Sequence, residues 1–176
     1  MKVEIFSVNS LIGKVIRLPL RLIPPNAQLP ILLGRMKGKK WIVGSGLYSF
    51  WIGNFESKKQ KLFADYISAG SVVFDIGANV GFYTLLASEL VGPKGLVVSF
   101  EPAPRNIKFL KEHITINNIS NVVVIEGAVA DIDGSSFFDK GPNATMGRLN
   151  SKGDLQVRTF TLDHIITEKK YHFRIF

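Results

Sequence analysis

Four residues, Asp75, Gly77, Asn79 and Gly81, alternate along a short stretch and could build a ligand site. The apolar residues ahead of Asp75 are typical of a buried strand, and apolar residues at helical spacing follow Gly81. The two glycines permit backbone angles and close approaches that a Cβ would block. A strand, a glycine turn and a helix start together present free N–H groups and the positive end of a helix dipole to a ligand.

The acidic residue indicates which ligand this turn would hold. A dinucleotide-binding turn reads G-x-G-x-x-G, so that the backbone can approach a pyrophosphate. Here Asn79 stands at the middle glycine position, and the carboxylate of Asp75 would repel phosphate but suits an amino group or ribose hydroxyls. The pattern D-x-G-x-N-x-G is typical of S-adenosylmethionine (SAM) sites. An NAD-type oxidoreductase is the alternative enzyme class, and an ordinary strand-to-helix turn is the alternative without function.

Two further acids follow the next strands. Glu101 ends an apolar run, Leu96–Phe100, about twenty residues past the glycine turn, where α/β nucleotide folds place an acid that accepts both ribose hydroxyls. Asp131 follows a third apolar run, Val122–Ile125, and is expected near an adenine amine. The segment 131–134 also reads as a plain turn.

The alternation of strands and helices predicts right-handed βαβ units and a parallel sheet. We divide the chain into a basic N-terminal extension (1–40), a hairpin with a lead-in helix (41–70) and a partial SAM-binding Rossmann-like domain (71–176). The hairpin is predicted from the strand-like runs Lys40–Val43 and Leu47–Ile52 on either side of Gly-Ser-Gly.

Composition excludes several classes of protein. The chain has 176 residues, of which 46% are hydrophobic, and it has no cysteine, so disulfides and thiolate metal sites are excluded. The three histidines show no metal-ligand spacing, and His113 is expected on the surface of a helix. No apolar run is long enough to span a bilayer, which predicts a soluble, cytoplasmic protein.

The net charge of +8 is unevenly distributed. Residues 1–61 carry eleven Lys or Arg against two acids, whereas residues 62–176 carry eleven against twelve. The near-neutral second part argues against nucleic-acid binding. The basic first part is compatible with peripheral contact with an anionic membrane or a lipid-linked substrate, or with a merely solvated segment.

Taken together, several motifs resemble the FkbM family of SAM-dependent methyltransferases. They are the run Asp75–Thr84, Phe100–Pro102, Asn121–Val122, Gly127–Val129, Thr161–Asp163 and the lead-in Gly53–Glu56 with Lys59–Gln60. The resemblance implies a Rossmann-like class I methyltransferase fold and O-methylation of a hydroxyl on a sugar, a glycan or a related secondary metabolite. It also implies that Asp75, Gly77, Asn79 and Gly81 surround the methionine part of SAM and that Glu101 holds the ribose, with Asp131 near the adenine.

The resemblance stops at the C-terminal end. The Asp-x-Glu-Gly motif that would follow Thr161–Asp163 in that family is missing, and three strands form only half of a doubly wound sheet. We therefore expect an incomplete parallel sheet that lacks its C-terminal strands and leaves the strand of Asp75 at an edge. A truncated, inactive remnant is the alternative to an active enzyme, and no catalytic base is predicted.

Overall fold

The computed structural model describes residues 22–141 and 147–169. The strands are β1 (Gln28–Pro30), β2 (Lys40–Ile42), β3 (Val72–Ile76), β4 (Leu96–Glu101), β5 (Val122–Glu126), β6 (Ala128–Val129), β7 (Gly134–Asp139), β8 (Arg148–Leu149) and β9 (Leu155–Phe160). The helices are α1 (Tyr48–Ile52), α2 (Ser57–Tyr66), α3 (Phe82–Val91), α4 (Pro104–Ile116) and α5 (Leu162–Lys169). Residues 1–21 of the predicted basic N-terminal extension lie outside the described residues, as does the chain after Lys169.

The central sheet consists of three parallel strands in the order β3-β4-β5. Helix α3 connects β3 to β4, and α4 connects β4 to β5, which confirms the predicted βαβ units. Only β4 is buried along most of its length, as its apolar run predicts. Strand β3 is half-buried rather than fully buried as predicted, and β5 likewise, with Ile76 and Val123 at 53% and 38% exposure, because each lies at an edge of this sheet. In the described part of the chain β3 pairs only with β4, so β3 is an edge strand, as the sequence predicts.

A second sheet of four strands follows, in the order β6-β9-β7-β8. Strands β7 and β9 pair antiparallel, while β6 and β9 run parallel. These strands form a separate mixed sheet and do not extend the central one. Helix α5 follows this sheet, and its Ile165 packs in one cluster with Val98 and Phe100 of β4.

The hairpin predicted over residues 40–52 is wrong. Strand β2 pairs antiparallel with β1, and the second predicted strand is the helix α1. Phe50 and Trp51 are both buried, at 3% and 6% exposure. A helix can bury two consecutive side chains against one core, whereas a strand turns them to opposite faces. Tertiary burial therefore overrides the strand propensity of these aromatic residues.

The N-terminal layer packs directly onto α3. Trp41 of β2 and Phe50 of α1 share one buried cluster with Phe82, Leu85 and Leu86 of α3. The rings of Trp41 and Phe82 lie 6.0 Å apart, edge to face. The helix that begins at the glycine turn is thus held from outside by an aromatic core. In the described part of the chain no helix is both long and apolar enough to cross a membrane.

Candidate functional site

The glycine turn after β3 is strongly bent and is anchored to β4. Gly77, Asn79 and Gly81 all have positive φ, at 77°, 53° and 95°. The backbone N–H groups of Gly77 and Ala78 donate to the carbonyl of Phe100 at 3.0 and 2.9 Å. These bonds fix the turn beside the carboxyl end of β4.

The two glycines serve different purposes. A Cβ on Gly77 would meet no atom within 4 Å, so this residue faces open space at the site. A Cβ on Gly81 would lie 2.6 Å from Cδ1 of Leu110, so this residue lets α3 approach α4 closely. Only Gly77 leaves room for a ligand, while Gly81 is required for packing.

Glu101 is the buried acid at this end of the sheet. Its side chain accepts three hydrogen bonds: Oε2 from the backbone N–H of Asn79 (2.7 Å), and Oε1 from the backbone N–H of Ala103 (2.9 Å) and the amide of Asn106 (3.2 Å). Burial raises the pKa of Glu101, and the three donors oppose that rise. Because a carboxylate oxygen has two lone pairs, Oε2 can accept one further donor such as a ribose hydroxyl.

Glu101 lines a cavity of about 480 Å³, here called the Glu101 cavity. Gly77, Asn79, Ala103 and Asn106 form one wall. Further lining comes from Phe138 of β7 and from Lys140, Gly141 and Gly147, which lie just outside β7 and β8. The volume lies within the range of small-molecule sites, and the mixture of an acid, an open glycine and an aromatic ring suits a nucleoside.

Asp75 lines a different hollow. Its Oδ2 accepts a hydrogen bond from the hydroxyl of Thr84 at 2.5 Å, and that hydroxyl lies 3.0 Å from the hydroxyl of Ser99. Burial raises the pKa of Asp75. The hollow, here called the edge cleft, has a volume of about 510 Å³ and lies between α2 and β3, lined by Lys59, Leu62, Phe63, Tyr66, Ile67, Val73, Asp75 and Tyr83.

Among the described residues Asp75 and Glu101 thus line different hollows, although Asp75 is close enough to add to the rise in the pKa of Glu101. The hydrogen bond from the hydroxyl of Thr84 holds the carboxylate of Asp75 against α3. The two hollows are nevertheless close, because Gly77 lines the Glu101 cavity only two residues after Asp75, a span of at most about 7 Å.

Asp131 is not brought to either hollow. It is exposed and lines a polar depression with Asp133, Ser135 and Asn150. Asp133 accepts the backbone N–H of Thr161 at 2.8 Å, just before α5 begins. The geometry supports the plain turn for this segment, and the predicted adenine contact of Asp131 has no counterpart in the Glu101 cavity.

The loop before α2 is hydrogen-bonded to α3, the helix that follows the glycine turn. Glu56 has a positive φ of 46°, which is rare for a glutamate, and its Oε2 accepts from the hydroxyl of Tyr83 at 3.0 Å. Its other oxygen pairs with Lys59, whose hydrogen bond lowers the pKa of Glu56. Burial, with Glu56 beside it, raises the pKa of Tyr83 to about 12, so this hydroxyl stays protonated. Buried Gln60 donates to the carbonyls of Phe55 and Gly53 at 2.5 and 3.3 Å.

His113 is fully buried, which corrects its predicted place on the surface. Its ring stacks on Trp41 with centroids 3.8 Å apart. Nε2 accepts the backbone N–H of Ile42 at 3.1 Å, so Nδ1 carries the proton and donates to the carbonyl of Val80 at 2.8 Å. Burial lowers the pKa of His113 to about 4. A neutral imidazole thus connects β2 to the glycine turn. In the sequence, the apolar neighbours of His113 on α4 were the signal that could have predicted its burial.

Sequence reasoning also missed Asn106, Phe138 and Lys140 in the wall of the Glu101 cavity. Asn106 follows Glu101 closely on the first turn of α4, so its sequence position was a usable signal. Phe138 lies in β7 and Lys140 directly follows that strand, and only the tertiary structure determines where the second sheet is placed.

With this geometry in place, comparison with known proteins identifies the family. The model of the TRM5/TYW2 methyltransferase domain matches residues 44–152, which is well over half of the chain. The chain belongs to the TRM5/TYW2 methyltransferase domain family. Its α/β fold is a class I methyltransferase fold, which confirms the predicted fold class, and SAM is the cofactor of this family, as predicted.

Individual relatives match parts of the chain. The ribosomal protein L11 methyltransferase of Clostridium perfringens is 33% identical over 86 residues, or 48% of this chain and 27% of the relative. The tRNA (guanine(37)-N(1))-methyltransferase of Saccharomyces cerevisiae is 28% identical over 94 residues, or 53% and 17%. Among solved structures, P. horikoshii TYW2 in complex with MeSAdo covers 77% of this chain and 53% of that chain, with 19% identity and a TM-score of 0.48. The chain spans about a quarter of the length of the first curated relatives.

These findings correct two sequence-based conclusions. The resemblance to the FkbM family is wrong, because the domain that matches is TRM5/TYW2; the D-x-G-x-N-x-G turn is shared among methyltransferases and does not separate them. The exclusion of nucleic acid is also overturned, since one of the relatives above is a tRNA (guanine(37)-N(1))-methyltransferase. The small-molecule or glycan acceptor and the membrane contact are withdrawn with it. A near-neutral charge over residues 62–176 was too coarse a basis for that exclusion.

The residues of the Glu101 cavity fit the nucleoside part of SAM. The carboxylate of Glu101 is ionisable, buried and fixed by three donors, with acceptor capacity remaining on Oε2. The open face of Gly77 allows a ligand to approach the backbone. A cationic cofactor also lowers the cost of keeping a buried carboxylate charged.

Proposed function

We propose that this chain is a SAM-dependent methyltransferase domain that methylates a base of tRNA. The proposal is supported chiefly by the match of residues 44–152 to the TRM5/TYW2 methyltransferase domain. The tRNA (guanine(37)-N(1))-methyltransferase among the relatives supports a base as the acceptor.

Within this proposal each residue of the site has a role. Glu101 accepts a ribose hydroxyl of SAM, Asn79 and Asn106 hold that carboxylate in place, and Gly77 lets the cofactor lie against the backbone. Asp75 lies on the side of the turn that faces the edge cleft and is suited to the cationic end of SAM. Gly81 contributes by positioning α3, and Asp131 is not assigned a contact.

When bound, SAM supplies an electrophilic methyl group, which the acceptor atom takes as the C–S bond breaks to a thioether and the acceptor releases its proton. The contribution of the chain is to hold cofactor and acceptor in reacting geometry, which accounts for much of the rate enhancement of two-substrate enzymes.

The test is transfer of the labelled methyl group from tritiated SAM to unmodified tRNA transcripts, with the full chain as enzyme. We expect incorporation into tRNA that is abolished by Glu101→Gln and retained by Asp131→Asn. Isothermal titration with S-adenosylhomocysteine measures cofactor binding separately. No heat with the cofactor product would contradict the methyltransferase proposal, and binding without transfer to tRNA would contradict the acceptor.

A second candidate acceptor is a protein. It is favoured by the alignment to ribosomal protein L11 methyltransferases, at 33% and 35% identity in two strains. The same assay with a ribosomal protein fraction in place of tRNA distinguishes the two acceptors. Nuclease treatment removes label that is in RNA, so the label that remains is in protein.

A further inference from the structure

Phe138 is the aromatic residue among the described residues that line the Glu101 cavity, and the proposed function leaves it without a role. It lies in β7, is only 8% exposed, and packs with Ala103 and Val157 in one buried cluster. The preceding residue of the strand, Phe137, is directed to the other face of β7 and is 48% exposed. An aromatic ring beside a cavity of nucleoside size is suited to stacking on a base.

Two glycines on either side of β8 let the chain pass close to Phe138. A Cβ on Gly147 would lie 2.2 Å from Cζ of the ring, and a Cβ on Gly153 would lie 2.4 Å from the carbonyl carbon of Phe138. Gly147 also lines the Glu101 cavity. Because its surroundings are already filled, the ring is confined before a ligand binds, which lowers the entropic cost of binding.

The two carboxylate oxygens of Glu101 face different parts of the cavity lining. Oε2 accepts from the backbone N–H of Asn79 in the glycine turn. Oε1 accepts from the backbone N–H of Ala103, which packs in one buried cluster with Phe138. The base and the 5′ carbon of a ribose leave the sugar on either side of its ring oxygen. A ribose on Glu101 can therefore direct one of them to the glycine turn and the other to Phe138.

The charges around the cavity distinguish the two orientations. Besides Glu101, the charged residues that line it in the described part of the chain are Arg105 and Lys140. Arg105 is on the first turn of α4 and Lys140 directly follows β7, so both adjoin the side of Phe138. Lys140 also pairs with Asp154 at 3.2 Å, in an exposed position where an ion pair contributes little. Two cations disfavour the sulfonium and ammonium groups of SAM on this side, whereas adenine is neutral.

We propose that Phe138 binds the adenine of SAM by stacking, so that the second sheet contributes a specificity-determining residue to the cofactor site. The inference rests on the proposed function, since it names the adenine contact of that same site. It also supplies the contact that the sequence assigned to Asp131, which lines a different depression. Stacking on an aromatic ring recognises the flat face of a base and needs no hydrogen bond to its edge.

The first measurement is isothermal titration of S-adenosylhomocysteine into the full chain. Phe138→Leu removes the ring but keeps an apolar side chain that the cluster tolerates, and we expect the Kd to rise at least about fivefold. Val157→Ala is the matched control for packing, because Val157 lies in the same buried cluster and is not among the residues that line the Glu101 cavity. This control should lose stability in urea unfolding while its Kd stays within error of the wild type.

A second measurement separates direct contact from an effect of packing. The full chain is labelled with meta-fluorophenylalanine and followed by fluorine NMR. Of its 13 phenylalanines, Phe138 gives the signal that is lost in Phe138→Leu, and Phe137 gives the signal that is lost in Phe137→Leu. S-adenosylhomocysteine should shift the signal of Phe138 through the ring current of adenine and leave that of Phe137, on the other face of β7, in place. Methionine alone should shift neither signal.

Three outcomes would overturn this inference and leave the proposed function standing. If Phe138→Leu binds S-adenosylhomocysteine as tightly as the wild type does, the adenine lies elsewhere. If Val157→Ala raises the Kd as much as Phe138→Leu does, the ring acts only through packing. If methionine shifts the signal of Phe138, the cofactor lies in the reverse orientation. Absence of S-adenosylhomocysteine binding by the wild type would instead contradict the proposed function, and this inference with it.

Discussion

Glu101 shows how a buried charge is kept in a protein at an acceptable cost. Removing a carboxylate from water is unfavourable, and here three N–H donors replace the lost water. Two of those donors are backbone groups, from the glycine turn and from the residue just before α4, so the acid also links both loops that surround the Glu101 cavity. The same carboxylate thus serves the structure and the proposed ligand.

The first prediction concerns Glu101→Gln. The substitution places an amide NH₂ against N–H donors, so we expect a loss of about 1–3 kcal/mol in stability and at least about a tenfold loss of affinity for S-adenosylhomocysteine. Urea unfolding and isothermal titration measure the two effects. Asp131→Asn is the control and should change neither; equal loss of affinity in both variants would contradict the assignment of the cavity.

The second prediction is a pH dependence from His113. Its pKa is lowered from 6.5 to about 4, so the unfolded chain binds a proton more readily than the folded one. Stability from this group is therefore full above pH 6.5 and is lost as the pH falls toward 4. Between pH 7 and pH 5 we expect the wild type to lose about 2 kcal/mol relative to His113→Gln.

Urea unfolding at a series of pH values measures this difference. The raised pKa values of Asp75 and Glu101 act in the opposite sense, but they cancel when the wild type and the variant are compared. His164 is the control: Asp133 raises its pKa, so its contribution is present at low pH and lost as the pH rises. As the pH falls, the free energy of unfolding of the wild type should rise relative to that of His164→Gln. If the stability difference changed in the same direction with pH for both histidine variants, these assignments would be refuted.

At the scale of elements, the turn between β3 and α3 depends on two glycines in different ways. The sequence grouped Gly77 and Gly81 as one ligand-binding feature. The structure shows that Gly81 is needed for the contact between α3 and Leu110 of α4, whereas Gly77 is needed for free space. The difference could not be deduced from spacing, since it depends on where α4 lies.

The third prediction compares Gly81→Ala with Gly77→Ala. Both need a positive φ, which costs a residue with a Cβ about 1–2 kcal/mol. Only Gly81→Ala adds a clash with Leu110, worth about 1–3 kcal/mol more. Urea unfolding should rank Gly81→Ala as the less stable variant. Isothermal titration should show that Gly77→Ala loses more cofactor affinity than Gly81→Ala for the same loss of stability. The reverse ranking of the two variants would contradict the assigned roles.

At the scale of the whole molecule, the N-terminal layer and the central sheet share one core. Trp41 and Phe50 pack with Val80 and Phe82, and His113 bonds to both β2 and the glycine turn. The sequence-based boundary at residue 70 therefore separates segments that are packed together. We expect residues 22–169 to unfold as one cooperative unit.

The fourth prediction tests this cooperativity. Both tryptophans, Trp41 and Trp51, lie in the N-terminal layer, so fluorescence follows that layer. Far-UV circular dichroism follows mainly α2, α3 and α4, which have 10, 10 and 13 residues against 5 in α1. The two urea transitions should coincide in midpoint and slope, and an earlier fluorescence transition would show that the layer is a separate unit.

The sequence by itself determined the central βαβ units, the glycine turn and the acid at the end of β4. These features depend on apolar periodicity and on residue types with special backbone or charge properties, all of which are local. The tertiary structure alone decided that α1 is a helix, that His113 is buried, and that Asp75 and Glu101 open onto different hollows. Each of those outcomes depends on which distant segment covers a side chain, and the chain order of residues does not contain that information directly.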